Sequence, residues 1–101
     1  MNEEPIRGRL ERCVVRVPDH VSWSDVDADL VVFNQQDGTY HALDRVASDI
    51  WRALARRGNC GAAFAELHER YPDAAAAVIA DDLRGFVDRA ARLGLLVAWD
   101  A

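Results

Sequence analysis

The amino-acid sequence predicts an α+β domain in which a small antiparallel sheet comes first and three helices follow. Three observations lead to this class. Residues 20–24 alternate between polar and apolar side chains, which is the pattern of a half-buried strand. Asp37-Gly38, a strong hairpin signal, separates two apolar stretches. After Asp44 the apolar residues recur at helical spacing, so the chain changes from strand to helix there.

Three strands are predicted to form a meander: Val21–Ser24, Leu30–Asn34 and Thr39–Leu43. The stretch Val14–Val17 is rich in β-branched residues and ends at Pro18, so it is a candidate fourth strand of the sheet. The sheet is therefore expected to have three or four strands.

The first helix is predicted over Arg45–Arg57. The carboxylate of Asp44 can accept hydrogen bonds from the free N–H groups of the first turn, and Gly58 stands where a helix-ending glycine belongs. One apolar face of this helix is formed by Val46, Ile50, Trp51 and Leu54.

The second and third helices follow closely. The second is predicted over Gly61–Arg70, with Asn59 or Cys60 near its cap, and the third over Ala74–Leu93, with Asp73 as its N-cap. Residues 95–99 are apolar and form either a closing strand or a tail packed on the core. A small sheet followed by three helices is a winged-helix-like arrangement.

Length and composition indicate one domain. A chain of 101 residues, half of them hydrophobic, supports one core and is too short for two. Residues 1–12 are interpreted as a flexible N-terminal tail and residues 13–101 as a single winged-helix-like domain. The start of the chain has no apolar signal core, and no apolar run approaches the roughly 18–20 residues that cross a bilayer. We therefore expect a cytoplasmic protein with no membrane partner.

The net charge of −5 argues against nucleic acid as a partner, because nonspecific binding depends on Lys and Arg clusters that neutralise phosphates. Cys13 and Cys60 have no short spacing between them. In a reducing compartment two small buried thiols are the favoured interpretation, and a disulfide is the alternative.

An ordered series of residues carries a resemblance to a known family. Its first part is Gly38-Thr-Tyr-His-Ala-Leu43-Asp44, then Ala47, Ile50-Trp51 and Leu54. Its later part is Gly58, Leu67, Tyr71-Pro72, Asp82, Leu83, Phe86, Leu93 and Gly94-Leu95-Leu96. Over residues 18–97 the series resembles the PqqD-like proteins, the leader-peptide recognition elements of ribosomal peptide natural-product pathways. The short stand-alone chain is most similar to members that serve lasso-peptide biosynthesis. The family usually has Asn where this chain has Asp44, and both residue types cap a helix.

The resemblance implies a function without chemistry. Such proteins bind the leader of a precursor peptide as an extra strand on the open edge of the sheet, in a groove walled by the third helix. The resemblance also implies a separate leader peptidase as a partner, with the macrocyclase as a further candidate. On the edge strand the expected peptide-binding residues are Thr39, Tyr40, His41, Ala42 and Leu43. On the third helix they are Ala75, Val78, Ile79, Asp82 and Phe86.

Several of these residues have a second interpretation. Tyr40 is also explained as a cover for the outer face of the sheet, and Phe86 and Ile79 as core residues. Asp82 is equally suited to pair with Arg45 or another arginine of this chain.

No catalytic pattern stands beside the resemblance. The chain has no Cys–His pair at a recognisable spacing, no phosphate-binding glycine loop and no ligand set for a metal. We expect neither enzymatic activity nor a cofactor. A winged-helix DNA-binding or regulatory domain is the alternative function, although the predicted second helix carries a single arginine and is poorly suited to contact bases. A structural subunit of the peptidase is a third hypothesis.

Overall fold

The computed structural model describes residues 10–101. Its strands are β1 (Cys13–Arg16), β2 (Val21–Val26), β3 (Asp29–Asn34), β4 (Thr39–Leu43) and β5 (Val97–Asp100). Its helices are α1 (Arg45–Arg57), α2 (Cys60–Arg70) and α3 (Ala76–Arg92), and residues 10–12 are also helical. This architecture confirms the predicted α+β class.

The three-stranded sheet is the predicted meander. Its strands are antiparallel in the order β2-β3-β4, with Trp23 opposite Val32 and Val32 opposite His41. The hairpin between β3 and β4 closes where Gly38 adopts a φ of 72° and donates its N–H to the carbonyl oxygen of Asn34 at 2.8 Å. Because β4 is the last strand in this order, it lies at an edge of the sheet.

The predicted fourth strand forms but does not join this sheet. β1 pairs instead with β5, with Val15 opposite Ala98, in a separate two-stranded sheet. The N–H of Val15 also donates to the carbonyl oxygen of Gly58 at 3.0 Å, and Val14 forms a bridge with Asn59. Both sides of β1 are thereby occupied by chain that lies far from it in sequence, so no pairing with β2 is left to it. The C-terminal apolar stretch is accordingly a closing strand.

Local side chains set the first two helices. α1 has the predicted bounds, and Asp44 Oδ1 accepts a hydrogen bond from the N–H of Ala47 at 2.9 Å. Gly58 ends α1 in the left-handed conformation, with a φ of 67°. The second helix starts one residue earlier than predicted, because the side chain of Asn59 caps it by accepting the N–H of Ala62.

The third helix is shorter than predicted, and the expected cap at Asp73 is wrong. Ala75 is the N-cap, with no side-chain hydrogen bond. The chain first makes a turn in which Ala74 N–H donates to the carbonyl oxygen of Tyr71 at 3.1 Å. Asp73 lies within this turn, two residues before the actual N-cap, and therefore does not cap α3. With 17 residues, α3 is the longest helix, and no helix within residues 10–101 has the length and hydropathy to cross a membrane.

Trp51 of α1 lies at the centre of the core and is fully buried. Its ring meets Trp23 of β2 edge to face at a centroid distance of 5.6 Å, and Phe86 of α3 at 6.4 Å. Such aromatic contacts add to the hydrophobic gain of burial. One side chain therefore joins the sheet, the first helix and the third helix.

The predicted N-terminal tail covers residues 1–12, of which residues 1–9 lie outside the described part of the chain. Residues 10–12 do not behave as a tail. Leu10 is only 3% exposed and belongs to the core. The backbone of Glu11 passes so close to α2 that a Cβ at Gly61 would lie 2.9 Å from its Cα. This close approach explains why a glycine stands in the first turn of α2.

Two glycine substitutions should have opposite effects on stability. We expect Gly58→Ala to lower the free energy of unfolding by about 1 kcal/mol, because a residue with a Cβ is strained at a φ of 67°. Space is not the cause, since the added Cβ would meet only the Val15 carbonyl oxygen at 3.6 Å.

Gly85→Ala in α3 is the matched control. The new Cβ would lie 3.4 Å from the flexible end of Arg89. Alanine inside a helix should then raise the free energy of unfolding by up to about 1 kcal/mol. Urea unfolding followed by circular dichroism measures both variants. A change of the same sign in the two would contradict the conformational explanation for Gly58.

Candidate functional site

The open edge of β4 is the first part of the candidate site. One side of this strand pairs with β3, and no strand within residues 10–101 pairs with the other. An edge strand presents unpaired N–H and C=O groups to whatever chain lies beside it. The strand contains no proline, so its whole length can hydrogen-bond to an added strand.

The two faces of β4 differ as the alternation predicts. His41 and Leu43 are half-buried on the face toward the core. Tyr40 and Ala42 lie on the outer face, and Tyr40 is 71% exposed. The Tyr40 ring stacks on Phe33 of β3 at a centroid distance of 4.5 Å, so it covers part of the outer face of the sheet.

A chain of polar contacts stiffens the hairpin end of β4. Thr39 Oγ1 donates to Asp37 Oδ1 at 2.6 Å, and His41 Nε2 lies 2.9 Å from the same hydroxyl. Hydrogen bonds from the side chain and backbone of Thr39 lower the pKa of Asp37. The hairpin is therefore held from its tip to the middle of β4.

An apolar groove of about 170 Å³ is the second part of the site. It lies between the start of α1, the end of α2 and the first half of α3. Ile50, Leu67 and Ile79 are buried at its floor, while Val46 and Val78 are about half exposed at its mouth. Val46 follows Leu43 by three residues, so the groove begins near the end of β4.

The structure separates the predicted residues of the third helix into two groups. Val78, Ile79 and Asp82 line the groove. Phe86 is buried against Trp51 in the core, and Ala75 is exposed at the N-cap of α3 without lining the groove. Phe86 is therefore a core residue, which is the second of the two roles expected for it.

Sequence reasoning missed five residues that line the groove: Val46, Ile50, Leu67, Tyr71 and Ala74. An apolar helix residue is normally assigned to the core, and Ile50 and Leu67 serve both the core and the groove floor. The signal that could have found the groove is Val46. It lies four residues before Ile50 on the same face of α1, one turn beyond the residues that the core can cover.

Asp82 stands at the rim of the groove as an exposed carboxylate. The alternative expectation is an ion pair with Arg45 or another arginine. Within the described residues Asp82 has no ion-pair partner, and the nearby Arg84 pairs with Asp81 at 2.8 Å. The carboxylate of Asp82 thus faces solvent beside an apolar surface.

A buried carboxylate fixes the Tyr71 wall of the groove. Asp49 is 7% exposed and accepts hydrogen bonds from the Tyr71 hydroxyl and from Arg70 Nε at 3.1 Å. Arg52 Nη1 lies 3.6 Å from its other oxygen. The hydrogen bond to Asp49, with burial and the negative charge of the carboxylate, raises the pKa of Tyr71. The ring is thereby held in place on one side of the groove.

An open strand edge beside an apolar groove is the arrangement with which peptide-recognition domains bind an extended peptide as an added strand. Within residues 10–101 no group of three or more His, Cys, Asp or Glu side chains is placed to hold a metal ion. The model of the family described as coenzyme PQQ synthesis protein D (PqqD) matches residues 29–96, and the chain belongs to this family.

A similar fold is found in a solved structure of TbiB1, described as "TbiB1 in Complex with the TbiA(beta) Leader Peptide". TbiB1 is 27% identical to this chain and superposes with a TM-score of 0.78, over 85% of this chain and 99% of the other. No curated protein matches the sequence significantly.

The contact between Tyr71 and Asp49 can be tested by titration. We expect Asp49→Asn to move the pKa of Tyr71 back toward its ordinary value of 10.0, because the amide carries no negative charge. Tyrosinate absorbance against pH measures the shift, and Tyr71→Phe identifies the Tyr71 signal.

The same contact predicts how stability depends on pH. Because folding raises the pKa of Tyr71, the stabilisation from this contact is complete below about pH 10 and is lost as the pH rises through the folded-state pKa. In Tyr71→Phe this alkaline loss should disappear. An unchanged Tyr71 titration in Asp49→Asn would contradict the assignment.

Proposed function

We propose that this protein binds the leader segment of a ribosomally made precursor peptide, in lasso-peptide biosynthesis, as an added strand on the edge of β4. The observation that carries the proposal is the open β4 edge beside an apolar groove, in a PqqD-family chain. The TbiB1 structure supports it, because a protein of the same fold was captured with a leader peptide. The proposed site keeps Thr39–Leu43, Val78, Ile79 and Asp82, and adds Val46, Ile50 and Tyr71.

The energetics assign different roles to the two parts of the site. Each backbone hydrogen bond along β4 contributes about 0.5–1.5 kcal/mol and accepts any sequence except proline. Each apolar side chain that enters the groove contributes roughly 1.5–3 kcal/mol. Ordering a flexible peptide offsets much of this gain. The groove therefore decides which peptide binds, and we expect an affinity in the micromolar range.

Asp82 gives the site a preference for a leader peptide with a positively charged residue. Its carboxylate at the rim, which pairs with no cation of residues 10–101, suits a Lys or Arg of the leader placed next to an apolar anchor. A partly desolvated pair of this kind is stronger than an exposed one.

The protein itself performs no chemistry in this proposal. It presents the bound leader to a separate leader peptidase and then to the macrocyclase, and raises the local concentration of the precursor at those enzymes. Binding along β4 would leave the rest of the precursor free to reach an active site.

DNA binding, the alternative function, finds no support in the charge distribution. α2 carries Glu66, which is half-buried, and Glu69, which is exposed. Glu66 forms ion pairs with Arg56 and with Arg57, whose Nε lies 3.0 Å from Glu66 Oε1. One carboxylate of the would-be recognition helix therefore contacts both arginines, and Glu69 adds a second negative charge to the same helix.

Proline substitutions test the strand edge. Alternate N–H groups of an edge strand point inward and outward, so one of the neighbours His41 and Ala42 directs its N–H to the open side. The test variants are His41→Pro and Ala42→Pro. The proline that replaces the outward N–H leaves the pairing with β3 intact, so this variant should keep the wild-type melting temperature. We expect the same variant to lose leader affinity by about 10-fold or more.

Fluorescence anisotropy with a labelled leader peptide from the neighbouring precursor measures the loss. The controls are Ser24→Pro and Asp25→Pro on β2, the strand at the opposite edge of the sheet. Whichever of the two keeps the wild-type melting temperature should bind the leader with wild-type affinity. Wild-type affinity in a folded β4 proline variant would rule out strand addition at this edge. Binding of duplex DNA in place of the leader would favour the alternative function.

A valine pair tests the groove. Val78 at the groove mouth is 54% exposed, and Val26 at the end of β2 is 52% exposed. We expect Val78→Ser to weaken leader binding by about 5- to 30-fold, because it removes an apolar contact. Val26→Ser should leave affinity within about 2-fold, since it lies outside the groove. Equal effects of the two substitutions in the same anisotropy assay would show that the groove does not hold the leader.

A further inference from the structure

Cys13 of β1 and Cys60 of α2 lie in contact, although 47 positions separate them in sequence. Their sulfur atoms are 2.6 Å apart, and both residues are free thiols in the structure. The favoured interpretation of two free thiols agrees with this state, while the contact between them was not predicted from their spacing.

The main chain holds the two cysteines together from both sides. Next to Cys13, the Val15 N–H donates to Gly58, and Val14 forms a bridge with Asn59. On the other side of Cys13, the Asn59 side-chain amide donates to the carbonyl oxygen of Glu11 at 2.7 Å. The contact between the sulfurs is thus a consequence of the backbone arrangement and does not depend on side-chain rotamers alone.

We propose that Cys13 and Cys60 are a modification site that closes to an intramolecular disulfide and ties β1 to the first turn of α2. The pair lies apart from the candidate peptide site. On α3, the residues that line the cavity beside the cysteines include Arg84, Gly85 and Asp88, which lie nearer the C-terminal end of the helix than Val78 and Asp82.

The surroundings of the two thiols indicate which of them reacts first. Both cysteines line an open cavity of about 880 Å³ that also includes Arg12 and Arg84, but Cys13 is the partly exposed one of the two. Cys60 is buried, and burial together with the neighbouring thiol raises its pKa. An oxidant from solution therefore meets Cys13 first.

A low-molecular-weight disulfide such as oxidised glutathione is a sufficient oxidant. The Cys13 thiolate attacks one of its sulfurs, forms a mixed disulfide and expels one glutathione thiolate. The Cys60 thiol then gives its proton to a thiolate in solution and attacks Cys13 Sγ, which expels the second glutathione. The two protein thiols are oxidised to a disulfide, and the oxidant is reduced to two thiols.

The bond would enclose β2, β3, β4 and α1, which is the part of the chain that builds the sheet and its open edge. A disulfide stabilises chiefly by restricting the unfolded chain, and more so for long loops. For a loop of this length in a small domain, we expect the oxidised protein to melt about 10 °C or more above the reduced protein.

The test uses the full chain, equilibrated with dithiothreitol or with oxidised glutathione, then denatured, alkylated and weighed by mass spectrometry. We expect both cysteines to be alkylated after reduction and neither after oxidation. A non-reducing tryptic digest should contain residues 13–16 linked to residues 58–70.

Single and double variants complete the experiment. Cys60→Ser should stop at a glutathione adduct on Cys13, and a variant with serine at both positions should melt at the same temperature in either buffer. Alkylation of both wild-type cysteines after oxidation, a stable glutathione adduct or a disulfide-linked dimer would overturn the proposal. An oxidised monomer that melts below the reduced one would also overturn it, because the native backbone would then not accommodate the bond.

Discussion

The packing of Trp51 is the contact on which the rest of the structure depends. The sheet is only three strands wide and the helices are short, so each layer alone buries little apolar surface. Trp51 meets Trp23 in the sheet and Phe86 in α3. Its indole N–H has no hydrogen-bond partner in the described part of the chain, which costs free energy that the burial of the large ring must exceed. The contacts through which Trp51 joins three elements therefore outweigh the cost of its unpaired N–H group.

The candidate site follows from the same arrangement. Asp44 is the single residue between β4 and α1, and it caps the helix at once. The strand edge and the groove residue Val46 are thus fixed relative to each other by a few bonds. Asp49 and Tyr71 hold the far wall of the groove. A peptide that met this surface would find both halves of its site already formed, which reduces the ordering cost of binding.

The fold could be predicted from sequence wherever the signal is local. Asp37-Gly38 and Asp44 determine the hairpin and the start of α1 within a few residues, so β4 and α1 have the bounds that the sequence predicts. The pairing of β1 with β5 and the contact of Cys13 with Cys60 depend on chain that is distant in sequence, and periodicity carries no information about it. Only the α3 side of the groove was predicted from sequence. The spacing of apolar residues identifies the apolar face of a helix, but it does not show how much of that face is covered by the core.

The sheet has a second open edge, at β2, and its composition differs from that of β4. Ser22, Ser24 and Asp25 are exposed along it together with Trp23 and Val26, and Asp25 pairs with Arg52 of α1 at 2.5 Å. The two serines and the carboxylate of Asp25, which alternate with these apolar residues, make this edge a poorer template for another copy of the strand. Edge-to-edge growth needs two receptive edges on each molecule. A domain with one receptive and one polar edge can therefore keep a strand open for binding without polymerising through its sheets.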